Sequence, residues 1–469
     1  MTDRPVQARR MSERQVQARG AVLHIVKFVF ACCVTGVFSV AWGSFYLQGM
    51  RLPFHGTGNW AMLALYLCLY VVFARLYGGF EVGNSRVSEL IYSQVIALLF
   101  TNAVAYVMIC LLSYRPVNPL PLLVVAAVSM ALGIAFSTLA NRLYNRLFPP
   151  KKTVVVYDYL DEMSAVGQIS KLSWKFEIVA AVCMTRGMDE VLRAVDGAEA
   201  VFICGASSKA RNAILKYCVD RGIHVYLRPK IGDLLVSSAK EMQLNNLLVL
   251  HCSRARTTFW YVAAKRLMDI VASLLGLVVA SPFMLVTALA IKLYDHGPVL
   301  YRQCRLTKDG REFYILKFRS MRQDAEKDGV ARLASEHDDR ITPVGKLIRA
   351  IRFDELPQLL NILKGDMSLV GPRPERPEIA AQYEQEMPEF RLRLQAKAGL
   401  TGYAQVHGKY NSTPYDKLQM DLVYIANQSI VQDMKLIFET IKILFMKEST
   451  EGVAEGQKTA AATVHMERR

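Results

Sequence analysis

Two adjacent carboxylates, Asp354 and Glu355, stand in the stretch IRFDELPQLLNILKGDMSLVGPRPE, residues 351–375. Cations crowd them in sequence. Arg302, Arg305, Lys317, Arg319, Arg322, Arg340, Lys346, Arg349 and Arg352 come before the pair, and Arg373 follows between Pro372 and Pro374. So much positive charge favours ionised carboxylates and is expected to lower both pKa values, which suits a nucleophile or a metal ligand better than a general acid. Leu356, Leu359, Leu360 and Leu363 recur at helical spacing, placing the pair in or before a first turn, where free N–H groups and the dipole favour anions. Asp354 as an N-cap is the ordinary reading of such a residue. Phosphate chemistry is the competing one. A carboxylate can attack a phosphoryl group to give an acyl phosphate, provided cations, commonly Mg²⁺ with Lys and Arg, neutralise a diphosphate.

The elements that must position this pair begin in a membrane. The 469 residues carry 57 Lys+Arg against 41 Asp+Glu, a formal +16, so an anionic partner is expected: nucleic acid, a membrane surface or a phosphorylated small molecule. The 52% apolar content directs attention to bilayer segments. Four apolar runs, at 21–44, 59–74, 90–112 and 120–140, are each long enough or nearly so for a hydrocarbon core of ~30 Å. They define a four-helix transmembrane region over 21–150, behind a basic leader at 1–20 that reads as cytoplasmic. Arg4, Arg9, Arg10, Arg14 and Arg19, then Arg75 and Arg86, then Arg142, Arg146, Lys151 and Lys152 mark the inner side. Arg51 and Arg115 alone mark the other. The positive-inside bias therefore places everything after Lys152 in the cytoplasm. No charged residue sits deep in a span, which argues against an ion or proton path. The nine cysteines contain no C-x-x-C pair and read as reduced thiols, not a disulfide framework. Scattered charge and a membrane anchor together argue against nucleic acid.

From Thr153 the texture changes. The β-branched runs TVVVY, FEIVAAVC, AVFICG and IHVYL alternate with helical stretches, which predicts βαβ units and a parallel, Rossmann-like sheet over 151–252. After the first strand a dinucleotide binder needs G-x-G-x-x-G, but the chain reads YDYLDEM, and Tyr157 and Tyr159 would block a pyrophosphate. The domain is expected to be structural, regulatory or oligomerising, with a homodimer through it or through the membrane bundle as one outcome. Gly205 reads as a strand-ending turn.

A fifth apolar run, KRLMDIVASLLGLVVASPFMLVTALAIK at 265–292, is also long enough to span. Both of its flanks are basic, and Asp269 would be costly in hydrocarbon. Pro282 removes a helical donor, and the Ser281 hydroxyl can satisfy the carbonyl so freed. The expectation is a re-entrant helix hairpin, broken at Ser281-Pro282, that enters the inner leaflet and returns.

Residues from about Lys265 to Lys447 resemble the bacterial sugar transferase domain of the monotopic phosphoglycosyl transferases. The resemblance rests on KRLMDIVASLLGLVVASP, LKFRSM, DDRITPVGKLIR, DELPQLLNILKGDMSLVGPRP, GLTGYAQVHG and YIANQSIVQDMKLIFETIKIL, in the family's order. It implies a C-terminal mixed α/β monotopic catalytic domain at 253–448, followed by a polar tail at 449–469 read as disordered. Asp354 matches the family nucleophile, which attacks the β-phosphate of a UDP-sugar, releases UMP and passes the sugar phosphate to undecaprenyl phosphate. Glu355 matches the second member of the dyad, associated with Mg²⁺ and with activating the acceptor. Arg349, Lys317 and Arg319 match phosphate-binding positions, and Pro372, Arg373 and Pro374 match a loop near the nucleotide. Asp366 and Gln405 read as a helix cap and a loop anchor. The setting implied is the bacterial inner membrane, with the lipid bilayer as a partner and the catalytic domain on the cytoplasmic face. In QDMKLIFETIKILFMK, Met434, Ile437, Phe438, Ile441 and Phe445 make one apolar stripe with Lys435, Lys442 and Lys447 at its edges, facing either a membrane surface or the core. Two departures from the family stand out. Ile351, Arg352 and Phe353 replace small polar residues before the dyad, and Ala398 replaces a proline before Gly399, which is expected to loosen that loop.

Overall fold

The computed structural model describes residues 13–47, 50, 57–158, 163–254, 257–322, 340–408 and 413–444. The expectations for residues 1–12 of the leader, Tyr159, Phe445, Lys447 and the tail at 449–469 lie outside the described residues. The chain folds as two compact units, Met1–Arg228 and Pro229–Arg469.

The first unit starts with four apolar helices, α1 (Glu13–Ala41), α2 (Thr57–Leu76), α3 (Val87–Ser113) and α4 (Leu120–Leu147). All four are long and apolar enough to cross a bilayer, α1 together with the π-helical turn Trp42–Tyr46 that extends it. The chain is a membrane protein. Aromatic stacking joins the helices, with Phe38 on Tyr66 at 4.0 Å between centroids and Phe30 on Phe136 at 4.2 Å. Two buried polar side chains are paired: Tyr70 Oη donates to Gln94 Oε1 at 2.8 Å, and Gln94 Nε2 donates to the Gly79 carbonyl at 2.6 Å. Without water, each such group left alone would be costly.

Strands β1 (Lys151–Tyr157), β2 (Phe176–Cys183), β3 (Ala200–Cys204) and β4 (His224–Leu227) alternate with α5 (Met163–Ser170), α6 (Met188–Val195) and α7 (Ser208–Asp220). The sheet is wholly parallel, in the order β2-β1-β3-β4. Val154, Val156, Val201 and Ile203 meet Val191, Val195 and Ile214 in its core. Gly205, at φ +72°, turns the chain after β3, as expected. The sheet closes at Leu227, short of the boundary expected at 252. The next helix, α8 (Ile231–Ser237), instead buries Ile231 and Leu234 in the core of the second unit, because its apolar side is matched there by Leu418 and Leu422.

In the second unit, the hairpin β5 (Lys240–Leu244) and β6 (Leu247–His251) precedes α9 (Phe259–Asp295). A second hairpin follows, β7 (Leu300–Leu306) and β8 (Glu312–Phe318), and then α10 (Pro343–Ala350) and α11 (Gln358–Lys364). Strand β9 (Ser368–Val370) pairs in parallel with β10 (Gly399–Thr401) across α12 (Pro377–Glu386). The unit ends with α13 (Tyr403–His407), α14 (Pro414–Ala426) and α15 (Ile430–Leu444). Leu436 of α15 is buried and Ile437 packs beside it, so that part of the stripe faces the core.

Helix α9 corrects one expectation: it does not break at Ser281-Pro282 but stays helical from Phe259 to Asp295. The reason is local. Pro282 has no N–H for the Val278 carbonyl, and Ser281 Oγ donates to that oxygen at 2.8 Å, so the freed acceptor is satisfied without ending the helix. Only 11% of its most apolar window is buried. Asp269 is not lost in the apolar run: its carboxylate accepts from the Leu369 N–H at 3.0 Å and from Ser368 Oγ at 3.1 Å, which ties α9 to β9.

Candidate active site

The dyad occupies a 3₁₀ turn, Phe353–Glu355, just ahead of α11, whose N-cap is Pro357. Asp354 is therefore not the N-cap of that helix. Arg352 enters the turn at φ +56°, a left-handed conformation that is uncommon for a side-chain-bearing residue and found at sites where the surroundings fix the backbone. Those surroundings are two apolar clusters. Phe353 and Leu356 pack against Ile291, Phe318 and Ile348, while Leu359 and Ile362 pack with Phe313, Ile315 and Met367. The Phe353 ring also meets Phe283 edge-on at 6.2 Å, so the departure from small polar residues links the dyad to the middle of α9.

Strand β8 brings Lys317 to the dyad. Asn361, a lone polar residue in the apolar run of α11, accepts from the Leu316 N–H at 2.9 Å and donates to the Tyr314 carbonyl at 2.8 Å, fixing strand against helix. Glu355 Oε1 then accepts from Lys317 Nζ at 2.8 Å and from Arg373 Nη2 at 2.9 Å. The carboxylate is 15% exposed, against 21% for Lys317 and 44% for Arg373. A small cleft opens here, lined by Arg305, Ile315, Lys317, Glu355, Gln358, Arg373, Pro374 and Gly399.

The two carboxylates titrate in opposite directions. Burial raises Glu355, but the charges of Arg373 and Lys317 outweigh it and hold the group well below the ordinary range. Asp354 is raised, first by burial and then by the neighbouring Glu355 charge, against the opposing charges of Lys317 and Arg349. The expectation that both would be lowered is corrected for Asp354, because the cations that sequence places near it are spent on Glu355.

The remaining expected residues divide. Arg349, in the last turn of α10, acts on Asp354 through its charge. Pro372 and Pro374 flank Arg373, their carbonyls accepting from the Gly399 N–H at 2.9 Å and from Arg305 Nη1 at 3.0 Å. Gly371 and Gly399 must lack side chains, since a Cβ on Gly371 would lie 2.1 Å from the Lys397 carbonyl. Arg319 is not brought to the dyad: its buried guanidinium pairs with Asp295 at the end of α9. Asp366 pairs through its side chain with Arg311 and Lys364, each at 3.3 Å, and caps the end of α11 as expected, its N–H donating to the Asn361 carbonyl at 3.0 Å. Gln405 anchors its loop as expected, donating to the Leu400 carbonyl at 3.1 Å. Ala398 does not loosen its loop, because its N–H, which proline would lack, donates to Thr307 Oγ1 at 3.2 Å.

Sequence reasoning passed over Asn361, Gln358 and Arg266. Arg266 donates to the Ile362 and Leu363 carbonyls at 2.6 Å each, capping α11 from α9. The available signal was Lys265, Arg266 and Asp269 clustered at the start of an apolar helix, a spacing that gives them one shared side.

Among the described residues no three His, Cys, Asp or Glu side chains converge as a metal cage. Adjacent carboxylates beside cations instead fit Mg²⁺, which takes one or two carboxylates and completes its shell from substrate phosphates and water. Glu355 is the carboxylate that could hold it. The cationic cleft can bind a diphosphate, and Asp354, the chain neighbour of Glu355 in its lining, carries an oxygen nucleophile.

Residues 260–447 match the family model for bacterial sugar transferases. Over 238 residues the chain is 40% identical to a UDP-N-acetylgalactosamine-undecaprenyl-phosphate N-acetylgalactosaminephosphotransferase of Aeromonas hydrophila, covering 49% of this chain and 54% of that protein. It is 42% identical over 190 residues to a UDP-glucose:undecaprenyl-phosphate glucose-1-phosphate transferase of Caulobacter vibrioides, covering 39% of this chain and 71% of the relative. An exopolysaccharide production protein of Rhizobium leguminosarum bv. phaseoli is 43% identical over 186 residues, or 38% of this chain and 92% of its own length. The match thus spans about half the Aeromonas protein and most of the two others.

Proposed function

The chain belongs to the bacterial sugar transferase family, and on that premise we propose that it transfers a sugar-1-phosphate from a UDP-sugar to undecaprenyl phosphate, an early membrane step of exopolysaccharide, capsule or O-antigen-type glycan assembly. The observation that carries this reading is Asp354 beside a Glu355 that gathers Lys317 and Arg373 into one cleft.

An oxygen of ionised Asp354 attacks the β-phosphorus of the donor. The bond from that phosphorus to the bridging oxygen breaks, and UMP leaves with the oxygen. Asp354 then holds the sugar phosphate as an acyl phosphate. A phosphate oxygen of the polyprenyl acceptor attacks the same phosphorus and returns the carboxylate to Asp354, so each phosphoryl transfer breaks one P–O bond and forms one. Lys317 and Arg373 bind the diphosphate oxygens and offset charge as it develops, the dominant way proteins assist phosphoryl transfer. Arg349 adds positive charge on the Asp354 side. Burial of Asp354 strips water from the nucleophile and raises its energy relative to the bound, neutralised state. Mg²⁺ held by Glu355 would supply further neutralisation of the diphosphate.

A polyprenyl acceptor stays in the bilayer, so the site must meet the surface of the membrane. Two features support a re-entrant α9, continuous in its helical bonding but bent at Pro282, with the catalytic unit on the cytoplasmic side. Both ends of the helix are anchored in the same unit, Lys265 to Asp433 at 2.8 Å and Asp295 to Arg319, and its middle is apolar and exposed. A helix crossing ~30 Å of hydrocarbon would put those ends on opposite sides. Basic flanks on the first four helices support the same side for this unit.

The test is Mg²⁺-dependent UMP release from a panel of UDP-sugars with undecaprenyl phosphate, compared with Asp354→Asn. Loss of turnover and of a sugar-phosphate adduct on the Asp354 peptide by mass spectrometry is expected. A folded variant with full turnover would overturn the assignment. Cysteines at positions 300 and 261 should label from the same side of sealed vesicles, and labelling from opposite sides would refute re-entry.

A further inference from the structure

Behind the Pro372-Arg373-Pro374 loop lies a buried charge cluster that the proposed chemistry does not use. Arg393 is buried, and its Nη2 donates to the Arg373 carbonyl at 2.9 Å. The same nitrogen lies 2.7 Å from Asp421 Oδ2, and Nη1 lies 3.5 Å from Glu375. Asp421 is 1% exposed. Arg305 works from the other side: it donates to the Pro374 carbonyl at 3.0 Å and lies 3.9 Å from Glu375. The Leu306 N–H donates to the Glu375 carbonyl at 2.9 Å, which ties the loop to β7.

We propose that Arg393 is a positioning residue for Arg373, clamping the backbone of the loop from behind so that the Arg373 guanidinium reaches Glu355. Burying an arginine and two carboxylates costs desolvation, and well-packed apolar residues would often fold as stably, so stability alone is a weak reason for the cluster. What an apolar replacement could not do is donate to the Arg373 carbonyl. The two prolines fix φ on either side, Arg393 and Arg305 hold the successive carbonyls of Arg373 and Pro374, and only the Arg373 side chain is left to select its partner. The planar fork of Arg393 spreads these contacts over two nitrogens, Nη2 toward the carbonyl and Asp421 and Nη1 toward Glu375, a span that the single nitrogen of lysine lacks. Among the described residues Arg393 makes no hydrogen bond or ion pair with Glu355 or Lys317, so its effect travels through Arg373.

The consequence for turnover rests on the proposed reaction, but the positioning does not, and the experiment separates them. In the full-length, detergent-purified protein, Tm is measured for wild type, Glu355→Gln, Arg393→Lys and the double variant. If Arg393 holds Arg373 against Glu355, the Tm loss from Glu355→Gln shrinks to about two-thirds of its size in the Arg393→Lys background, since close partners couple. An equal loss in both backgrounds would overturn the proposal. UMP release then reads the consequence: Arg393→Lys raises KM for the UDP-sugar about tenfold, the worth of one charge-assisted hydrogen bond, with kcat within about twofold. It adds nothing to KM in an Arg373→Ala background, and additive effects there would count against the clamp. Wild type without any UMP release would sink the reaction while leaving the Tm cycle decisive for the clamp. Should Arg393→Lys fail to fold, Asp421→Asn, which loosens the same guanidinium, takes its place in the cycle with the same expected result.

Discussion

Replacing Glu355 with glutamine removes one negative charge at the point where Lys317 and Arg373 converge, and the cost can be built from the geometry. A charge-assisted hydrogen bond contributes roughly 1.5–3 kcal/mol when buried. The Lys317 bond, 2.8 Å long between groups 15% and 21% exposed, belongs near the middle, at about 2 kcal/mol. Arg373 is 44% exposed, so its bond is screened and counts as a surface pair, about 0.5 kcal/mol. Glutamine keeps an acceptor oxygen and recovers about 1 kcal/mol as an uncharged acceptor. The net loss is about 1.5 kcal/mol, or roughly 3–6 °C in Tm for a folding unit of this size. In a Lys317→Met background the loss should fall to about 0.5 kcal/mol, because the partner is already gone. The pH dependence has a definite sign. The folded-state pKa of Glu355 lies below its unfolded value, so its stabilisation is complete above the unfolded pKa of roughly 4.3 and fades as pH falls toward the folded value. The Tm gap between wild type and Glu355→Gln should be widest at pH 6–7 and narrow below about pH 4. A gap that ignores pH, or that adds fully to Lys317→Met, would refute the ion-pair account.

Asp354 should behave oppositely. Its folded pKa is raised by burial and by Glu355, so the ionised carboxylate destabilises the fold above its unfolded pKa of roughly 3.9. Asp354→Asn is therefore expected to raise Tm at pH 7 while abolishing UMP release, with the gain vanishing below about pH 4; a lower Tm at pH 7 would contradict it. Ala398→Pro restores the family's usual residue yet removes the N–H that donates to Thr307, and should destabilise the unit by ~1–3 kcal/mol in chemical denaturation. A neutral result would mean that this hydrogen bond is dispensable.

How far the sequence could be read depended on how local each signal was. The strand and helix runs of the sheet at Lys151–Leu227 were legible because β-branched blocks and helical spacing are patterns of near neighbours. The apolar helices were legible for the same reason, since length and composition suffice. The partner of Ser281 could be foreseen too, because the freed carbonyl lies in the adjacent turn. That the helix would stay intact could not, since a serine bond to that carbonyl satisfies it equally in a broken and in an unbroken helix.

The residues capable of chemistry, Asp354, Glu355, Lys317 and Arg373, were determined by the sequence, as were the apolar segments that make this a membrane protein. Their pairing was decided only by the tertiary structure. Charge counted along the chain predicted that both carboxylates would be lowered, but Lys317 and Arg373 converge on one oxygen of Glu355, and Asp354 is left with burial as the stronger influence. Arg319 is likewise turned to Asp295, Asp269 to β9 nearly a hundred residues away, and Arg393 to the back of the Arg373 loop. A pKa or a hydrogen bond is set by distances of a few ångströms. Residue order constrains such distances only within a turn or a strand, and packing supplies the rest.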